Sequence, residues 1–112
     1  MEVTMVVIEG DPAELHRAWR DELLPVARPR AQDYGWQRSI AARGERELVV
    51  INLWADAEGL DRALADPDID RVQREAIAPL AAAPPRVWRL EVADDLELTA
   101  APQPTAATGP GS

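Results

Sequence analysis

The chain has 112 residues and a formal charge of −8, and its twelve cationic residues are all arginine. This length fits one domain with one modest core, and the acidic balance disfavours nucleic-acid binding because it repels phosphate backbones. With no cysteine, no apolar run of about 18 residues and no secretory start, we expect a cytoplasmic protein without disulfides, thiolate metal sites, a cysteine nucleophile or a membrane span.

The chain opens with a predicted strand and a helix start. Residues Val3 to Glu9 are largely β-branched and apolar at both odd and even positions, which predicts a central strand. Asp11, Pro12 and Glu14 then match a helix N-cap, a first helical position and the acid of a capping box. We therefore predict that a helix begins at Pro12.

This first helix has an apolar stripe at spacings of four, four and three residues, formed by Leu15, Trp19, Leu23 and Val26. Pro25 lacks a backbone donor, so we expect the helix to bend or end near Leu24. If the helix continues, Pro29 should close the region.

A second strand is predicted over Asp33 to Ala42, where apolar and polar residues alternate as in a half-exposed or edge strand. Strict alternation places Tyr34, Trp36 and Ile40 on one face, and Gln37 and Ser39 on the other. Gly44 lies between Arg43 and Glu45 and is expected to form a hairpin turn into the next strand.

The segment Leu48 to Trp54 contains six apolar residues in seven, broken by one amide. Because successive strand residues point to opposite faces, Asn52 and Trp54 share one face while Ile51 and Leu53 share the other. Apolar residues on both faces predict a strand that is covered on both sides.

Two further helices and a last strand complete the pattern. A short helix is expected over Ala57 to Leu64, and Asp66–Pro67 begins a longer one. Pro84–Pro85 is expected to end that helix, and Arg86 to Val92 forms the final strand. The apolar positions of the longer helix are Ile69, Val72, Ala76, Ile77 and Leu80.

The element order predicts an α+β, ferredoxin-like split βαβ domain (βαββαβ) over residues 1–98, with two helical layers on one face of a four-stranded antiparallel sheet. Its other face would expose an apolar patch that a soluble monomer rarely tolerates. We therefore predict a homodimer in which two sheets meet back to back. Residues 99–112 are rich in Ala, Pro, Thr and Gly without hydrophobic periodicity, which predicts a disordered tail.

Four short motifs match one known pattern: the strand ending Asn52–Leu53–Trp54, the helix opening Ala55–Asp56–Ala57–Glu58–Gly59–Leu60, the break at Ala65–Asp66–Pro67, and Arg74–Glu75–Ala76. In these motifs the sequence resembles the antibiotic biosynthesis monooxygenase family of the dimeric α/β-barrel superfamily. The resemblance covers residues 1 to about 97, and its motifs are diffuse. The resemblance implies a substrate pocket between the helices and the sheet of each subunit.

Asn52 and Trp54 are the first candidate catalytic residues. A buried amide without a partner costs about 1–3 kcal/mol, so Asn52 should have a definite one. In quinone-forming members of the family an Asn and a Trp of this strand line the pocket, which implies that Asn52 could bind a phenolic or keto oxygen. The structural alternative is an Asn bonded to neighbouring backbone or a helix end, and Trp54 could equally be a core residue.

His16 is the third candidate catalytic residue, because it is the only side chain with an unperturbed pKa near neutrality. If it faces the pocket it could deprotonate a phenol, and otherwise it is a surface histidine. Haem-degrading relatives ligate iron through a histidine of the second long helix, and this sequence has none there. We predict neither a metal site nor a cofactor.

Four residues are candidates for substrate binding. Tyr34 could bind substrate or assist proton transfer, and Trp36 could line the pocket or the core. Arg38, which shares parity with Trp36, and Arg74 could stabilise an enolate, phenolate or superoxide. For Arg89 we favour a solvated position.

The preferred hypothesis is a cofactor-independent monooxygenase that acts on an aromatic polyketide-like phenol with dioxygen. A cyclase or isomerase would need the same cavity but would consume no oxygen. A third reading is a non-catalytic, ligand-binding accessory dimer, consistent with the few titratable groups.

Overall fold

The computed structural model describes residues 1–98 and has the predicted βαββαβ order. The strands are β1 (Glu2–Glu9), β2 (Trp36–Arg43), β3 (Glu47–Trp54) and β4 (Arg86–Glu91). They form one antiparallel sheet in the order β2-β3-β1-β4, so the ferredoxin-like prediction is confirmed. The disordered tail predicted over residues 99–112 lies outside the described residues.

The first helical layer, α1, continues without a break through residues 12–34. Its segments are α-helical Pro12–Ala18, π-helical Trp19–Leu23, α-helical Leu24–Ala27, 3₁₀-helical Arg28–Arg30 and α-helical Ala31–Tyr34. Of the two expectations near Leu24, a bend or an end, the end is wrong, since the helix instead changes to a π turn just before Leu24, and the closure at Pro29 is also wrong. Since Pro25 cannot donate to the carbonyl four residues earlier, the wider π turn just before it accommodates the missing bond.

The second helical layer contains α2 (Ala57–Leu64) and α3 (residues 67–80). Like α1, α3 includes a π turn shortly before a proline, here Gln73–Ile77 before Pro79. The helix ends at Leu80, four residues before the prolines expected to end it, because Ala81 adopts an extended conformation and bridges to Gly10.

The start of β2 differs from the prediction in two ways. Tyr34 belongs to the last helical turn, which Gly35 closes in the left-handed conformation at φ 65°. A β-bulge follows, since Trp36 pairs with Trp54 but Arg38 pairs with Leu53, so Gln37 is the extra residue. The bulge reverses the alternation, and Trp36 and Arg38 lie on opposite faces.

The helices cover one face of the sheet, the helix face. Its main core cluster joins Ile8, Leu48 and Val50 of the sheet to Leu15 of α1 and Ile77 of α3. A second cluster consists of Trp54, Leu60 and Ala63, with Tyr34 and Trp36 packed against it. Asn52 and Trp54 share the helix face, as the strand pattern predicted.

The opposite face of the sheet, the bare face, is covered by no described element. Its middle row consists of Ile40, Ile51, Met5 and Trp88, which lie side by side across the four strands. Ile40 is 43% exposed and Trp88 is 38% exposed. Trp88 lies in this open row, where the Arg86 guanidinium packs 5.7 Å from its ring centroid. Within residues 1–98, no helix is long and apolar enough to cross a membrane.

Candidate functional site

A cavity of about 370 Å³ lies between the helix face and the helices. The sheet forms its floor, and α1, α2 and α3 form its walls. A volume of this size falls in the range of small-molecule sites, which are mostly apolar with a few placed polar groups. Here most lining residues are apolar or aromatic, so the polar ones define its chemistry.

The floor holds a connected set of hydrogen bonds. Asn52 lies on β3, and its in-register neighbour on β1 is Thr4. The indole Nε1 of Trp36 donates to Asn52 Oδ1 at 2.9 Å, and Asn52 Nδ2 donates to Thr4 Oγ1 at 3.3 Å. Trp54 Nε1 also donates to Thr4 Oγ1, at 3.0 Å. The predicted partner of Asn52 is therefore another part of the site rather than a helix end.

These bonds fix which way the amide points. An indole N–H can only donate, so the atom of Asn52 that meets Trp36 must be the oxygen. Thr4 accepts twice, which leaves its own hydroxyl proton available. Among the described residues, the hydrogen bonds thus use one N–H of the Asn52 amide and leave the second. The floor therefore offers hydrogen-bond donors to a ligand oxygen.

The same register extends the polar row to both sheet edges, through Ser39 beside Asn52 and Arg89 beside Thr4. The Ser39 hydroxyl is buried without a hydrogen-bond partner among the described residues. Arg89 donates to Asp61 of α2 at 2.8 Å, and its side chain is 39% exposed. It therefore lies at the rim of the helix face, paired and partly solvated.

Aromatic rings form one end of the cavity. The indoles of Trp36 and Trp54 stack with their centroids 6.0 Å apart and their planes inclined by 24°. Trp19, expected in the core, also lines the cavity from α1. Flat, weakly polar walls of this kind suit a planar aromatic ligand.

Tyr34 lines the cavity at the end of α1 and is bonded to the start of α3. Its hydroxyl donates to Asp66 Oδ2 at 2.7 Å, and Arg30 Nε lies 3.2 Å from the same oxygen. The other carboxylate oxygen of Asp66 caps α3 by accepting from the backbone N–H groups of Asp68 and Ile69, at 2.8 and 3.3 Å. One buried carboxylate thus joins two helices beside the cavity.

These contacts shift both pKa values. The hydrogen bond from Tyr34 lowers the pKa of the Asp66 carboxyl, and the two backbone donors and Arg30 act in the same direction against the effect of burial. The bond to Asp66 raises the pKa of the Tyr34 phenol, as does burial. The pair therefore persists as a neutral phenol and an ionised carboxylate across the neutral range.

Arg74 lines the cavity on α3 together with Asp70. Arg74 Nε donates to Asp70 Oδ2 at 2.9 Å, and their side chains are 67% and 55% exposed. The pair therefore lies at the solvent side of the cavity, where a charged ligand group would keep contact with water.

Two predicted site residues lie elsewhere. His16 is half-buried and stacks on Trp19, with ring centroids 6.1 Å apart, but it is not part of the cavity lining. A role for His16 as a base required that it face the pocket, and the structure places it outside the cavity lining. Arg38 is exposed on the bare face, because the bulge at Gln37 cancels the parity that linked it to Trp36.

Sequence reasoning missed Thr4 and the bond between Tyr34 and Asp66. Thr4 is the single polar residue between Val3 and Ile8, but its role follows from the register with Asn52, which one strand cannot show. Asp66–Pro67 predicts a helix start, and one oxygen of Asp66 does cap α3, but its other oxygen binds Tyr34, which lies 32 positions away in the sequence. No group of three or more His, Cys, Asp or Glu residues that could hold a metal ion occurs within residues 1–98.

Solved structures share this architecture. A protein from Deinococcus radiodurans, assigned as a candidate antibiotic biosynthesis monooxygenase, superposes with a TM-score of 0.69 at 13% identity, over 89% of this chain and 100% of that one. The chain has the antibiotic biosynthesis monooxygenase fold. A candidate antibiotic biosynthesis monooxygenase from Caulobacter crescentus gives a TM-score of 0.68 at 18% identity, over 83% and 90% of the two chains. The resemblance predicted from the sequence is thereby confirmed at the level of the fold.

SnoaB from Streptomyces nogalater also shares this fold. SnoaB is described as a cofactor-independent oxygenase, and the structure of a single-residue variant of it matches with a TM-score of 0.65 at 25% identity, over 85% of this chain and 96% of that one. No protein-family model matches the sequence, and no curated protein matches it.

Proposed function

We propose that the protein is a cofactor-independent monooxygenase that oxidises an aromatic, polyketide-like phenol to a quinone. The observation that carries this proposal is the aromatic cavity with an amide, Asn52, held in one orientation on its floor. The similarity to SnoaB supports it, since that protein is described as a cofactor-independent oxygenase.

The proposed reaction draws its electrons from the substrate. Loss of the phenolic proton gives an electron-rich ring, whose carbanion reduces dioxygen and forms a carbon–oxygen bond. One oxygen atom remains as the new quinone carbonyl, and the other leaves as water with the two hydrogens lost by the phenol. The free Asn52 N–H would bind the phenolate or keto oxygen as charge develops there. Arg74, at the solvent side of the cavity, would stabilise a phenolate or superoxide anion there.

Oxygen uptake tests this proposal. The purified protein is given a tricyclic phenol such as an anthrone, with an oxygen electrode to record dioxygen and chromatography to record quinone. We expect equal molar consumption of dioxygen and formation of quinone, unaffected by a chelator. Asn52→Ala should reduce kcat/KM about 10²- to 10³-fold, as loss of a single oxyanion donor does elsewhere. Gln37→Ala, an exposed change beside the cavity strand, is the matched control and should leave the rate unchanged.

The same experiment without oxygen separates the other two readings. Turnover in anaerobic buffer would favour a cyclase or isomerase and overturn the proposal. Saturable binding with no turnover of any phenol would favour an accessory protein, which gains some support because the titratable groups of the described cavity lining are already paired.

We also propose a homodimer formed through the bare face, and a cytoplasmic location. The support for the dimer is the continuous apolar row of Ile40, Ile51, Met5 and Trp88, which water would otherwise cover. An isologous interface would pair this row with its own copy.

A further inference from the structure

We propose that Asp66 is a positioning residue that makes Tyr34 a hydrogen-bond acceptor toward the cavity, so that the site selects ligands with a free hydroxyl at that end. This inference deepens the proposed function and rests on it for the identity of the cavity as the substrate site. It concerns ligand choice, which can be measured without turnover.

The argument begins with the bonding capacity of the phenol. Tyr34 has one hydroxyl proton, and that proton is donated to Asp66 Oδ2 at 2.7 Å. An ionised carboxylate can only accept, so the bond cannot reverse. What Tyr34 can still offer a ligand is a lone pair. A ligand hydroxyl could donate to it, whereas an ether or carbonyl oxygen would meet it as acceptor against acceptor.

The structure holds this arrangement firmly. Asp66 is only 6% exposed, and its second oxygen is committed to the first turn of α3. Arg30 lies 3.2 Å from the oxygen that binds Tyr34, and its Nη2 donates to Asp68 at 2.9 Å. The Arg30 guanidinium, two backbone N–H groups and the Tyr34 phenol thus all contact the Asp66 carboxylate. The lowered pKa of Asp66 agrees with this arrangement, because it keeps the carboxylate ionised.

The polar floor has the opposite character. Asn52 and Thr4 retain donor hydrogens, whereas Tyr34 retains an acceptor. A ligand that satisfies both regions therefore has an acceptor oxygen over the sheet and a hydroxyl beside Tyr34. An apolar cavity alone would choose by size, but this one also chooses by the direction of hydrogen bonds.

Two probes of nearly equal shape test the selection. The dissociation constants of 2-naphthol and 2-methoxynaphthalene are measured by titration calorimetry at neutral pH, and their ratio is the readout. For the unaltered protein we expect 2-naphthol to bind about three- to tenfold more tightly, which is the usual worth of one net hydrogen bond.

Asp66→Asn should reverse this preference. The side-chain oxygen of Asn could still cap α3, while its NH₂ would donate to Tyr34 and free the tyrosine proton for the ligand. The ratio should then fall to one or below. Tyr34→Phe should bring the ratio to about one. Asp21→Asn, the same change at an exposed carboxylate of α1 outside the cavity, is the matched control and should retain the original ratio.

The outcomes are separable. A wild-type ratio in both Asp66→Asn and Tyr34→Phe, or no saturable binding of 2-naphthol to the unaltered protein, would overturn the inference. Urea unfolding of each variant shows whether it is folded, and if Asp66→Asn does not fold, Tyr34→Phe decides alone. Oxygen turnover with an unchanged ratio would defeat this inference and leave the proposed function intact. The expected ratios without oxygen turnover would support this inference and contradict the proposed monooxygenase function.

Discussion

At the residue scale, the most consequential feature is the bonded pair of Thr4 and Asn52 on the cavity floor. Each of the two accepts a hydrogen bond from a tryptophan indole. Each indole N–H is buried or half-buried, and each has its partner inside the site. Buried donors without partners are costly, so the four side chains stabilise one arrangement of the cavity floor. The same bonds that orient the Asn52 amide therefore also contribute to stability.

Thr4→Val tests this connection. Valine has the shape of threonine but no hydroxyl, so Trp54 Nε1 loses its acceptor and Asn52 Nδ2 loses one as well. We expect a loss of about 1–3 kcal/mol in the free energy of unfolding, measured with urea. Thr4→Ser keeps the oxygen and should retain most of the stability. Equal losses in the two variants would show that the methyl group matters more than the hydrogen bonds.

Stability should also depend on pH through Tyr34 and Asp66. The pKa of Asp66 is lowered in the fold, so its stabilisation is present above the ordinary aspartate pKa of about 3.9 and is lost as the pH falls through the folded value. The pKa of Tyr34 is raised, so its stabilisation is present below the ordinary phenol pKa of about 10 and is lost as the pH rises through the folded value.

Tyr34→Phe removes the titrating phenol and the largest cause of the Asp66 shift. Compared with the unaltered protein, the variant should lose less stability above about pH 10, and less between about pH 4 and the acid limit. The residual acid dependence belongs to Arg30 and the backbone donors of α3. Urea unfolding at a series of pH values measures both limbs, and parallel curves for the two proteins would contradict this assignment.

At the element scale, α2 is held against the end of α1 by a close contact at Gly59. A Cβ built on Gly59 would lie 2.0 Å from the carbonyl oxygen of Tyr34, which is backbone and cannot rotate away. Helix α2 lies this close because the residue at the contact has no side chain. The position of Tyr34 beside the cavity therefore depends partly on a glycine one helix away.

Gly59→Ala should separate the two helices. Alanine favours the helix by about 1 kcal/mol, but overpacking typically costs about 1–3 kcal/mol, so we expect a net loss of stability. Glu58→Ala, an exposed change in the same turn, should be nearly neutral. Thermal unfolding compares the two, and a higher Tm for Gly59→Ala would show that α2 can move outward without cost.

The helix starts and buried strands could be predicted because their signals are local. Asp11 and Asp66 accept from the backbone N–H groups of the first turns that follow them, as their sequence context indicates. The course of α1 past Pro25 could not be predicted. Proline removes one donor, but whether the chain then ends or widens into a π turn depends on packing against the sheet and α3.

The candidate site was predictable only in part for a similar reason. Asn52 and Trp54 are two residues apart on one strand, so their common face follows from local geometry. Trp36 lines the cavity, one of the two positions left open for it, but Arg38 lies on the bare face, because the sequence around Gln37 carries no signal for a bulge. Thr4, Asp66 and Arg30 become site residues only through pairing at long range.

At the scale of the whole molecule, the bare face predicts self-association. Ile40, on edge strand β2, belongs to the middle row of the bare face and is 43% exposed. A charge at this position should therefore prevent a back-to-back dimer without opening the core. We expect light scattering at micromolar concentration to give a dimer mass for the unaltered protein and a monomer mass for Ile40→Asp. Ala13→Asp, on the exposed side of α1, is the control and should remain dimeric. A monomer mass for the unaltered protein would refute the proposed dimer.

The bulge at Gln37 allows a single edge strand to serve two different surfaces. Before it, β2 contributes an indole to the ligand cavity, and after it, an isoleucine to the apolar outer row. Without the bulge, strict alternation of the same residues would turn every side chain after Gln37 over, so that Arg38 and Ile40 would point inward and Ser39 outward. The extra residue therefore lets Trp36 and Ile40, four positions apart, lie on opposite faces of one strand. A relative that lacks the extra residue should keep both surfaces, whereas one that keeps the residue but pairs without a bulge should lose one of the two.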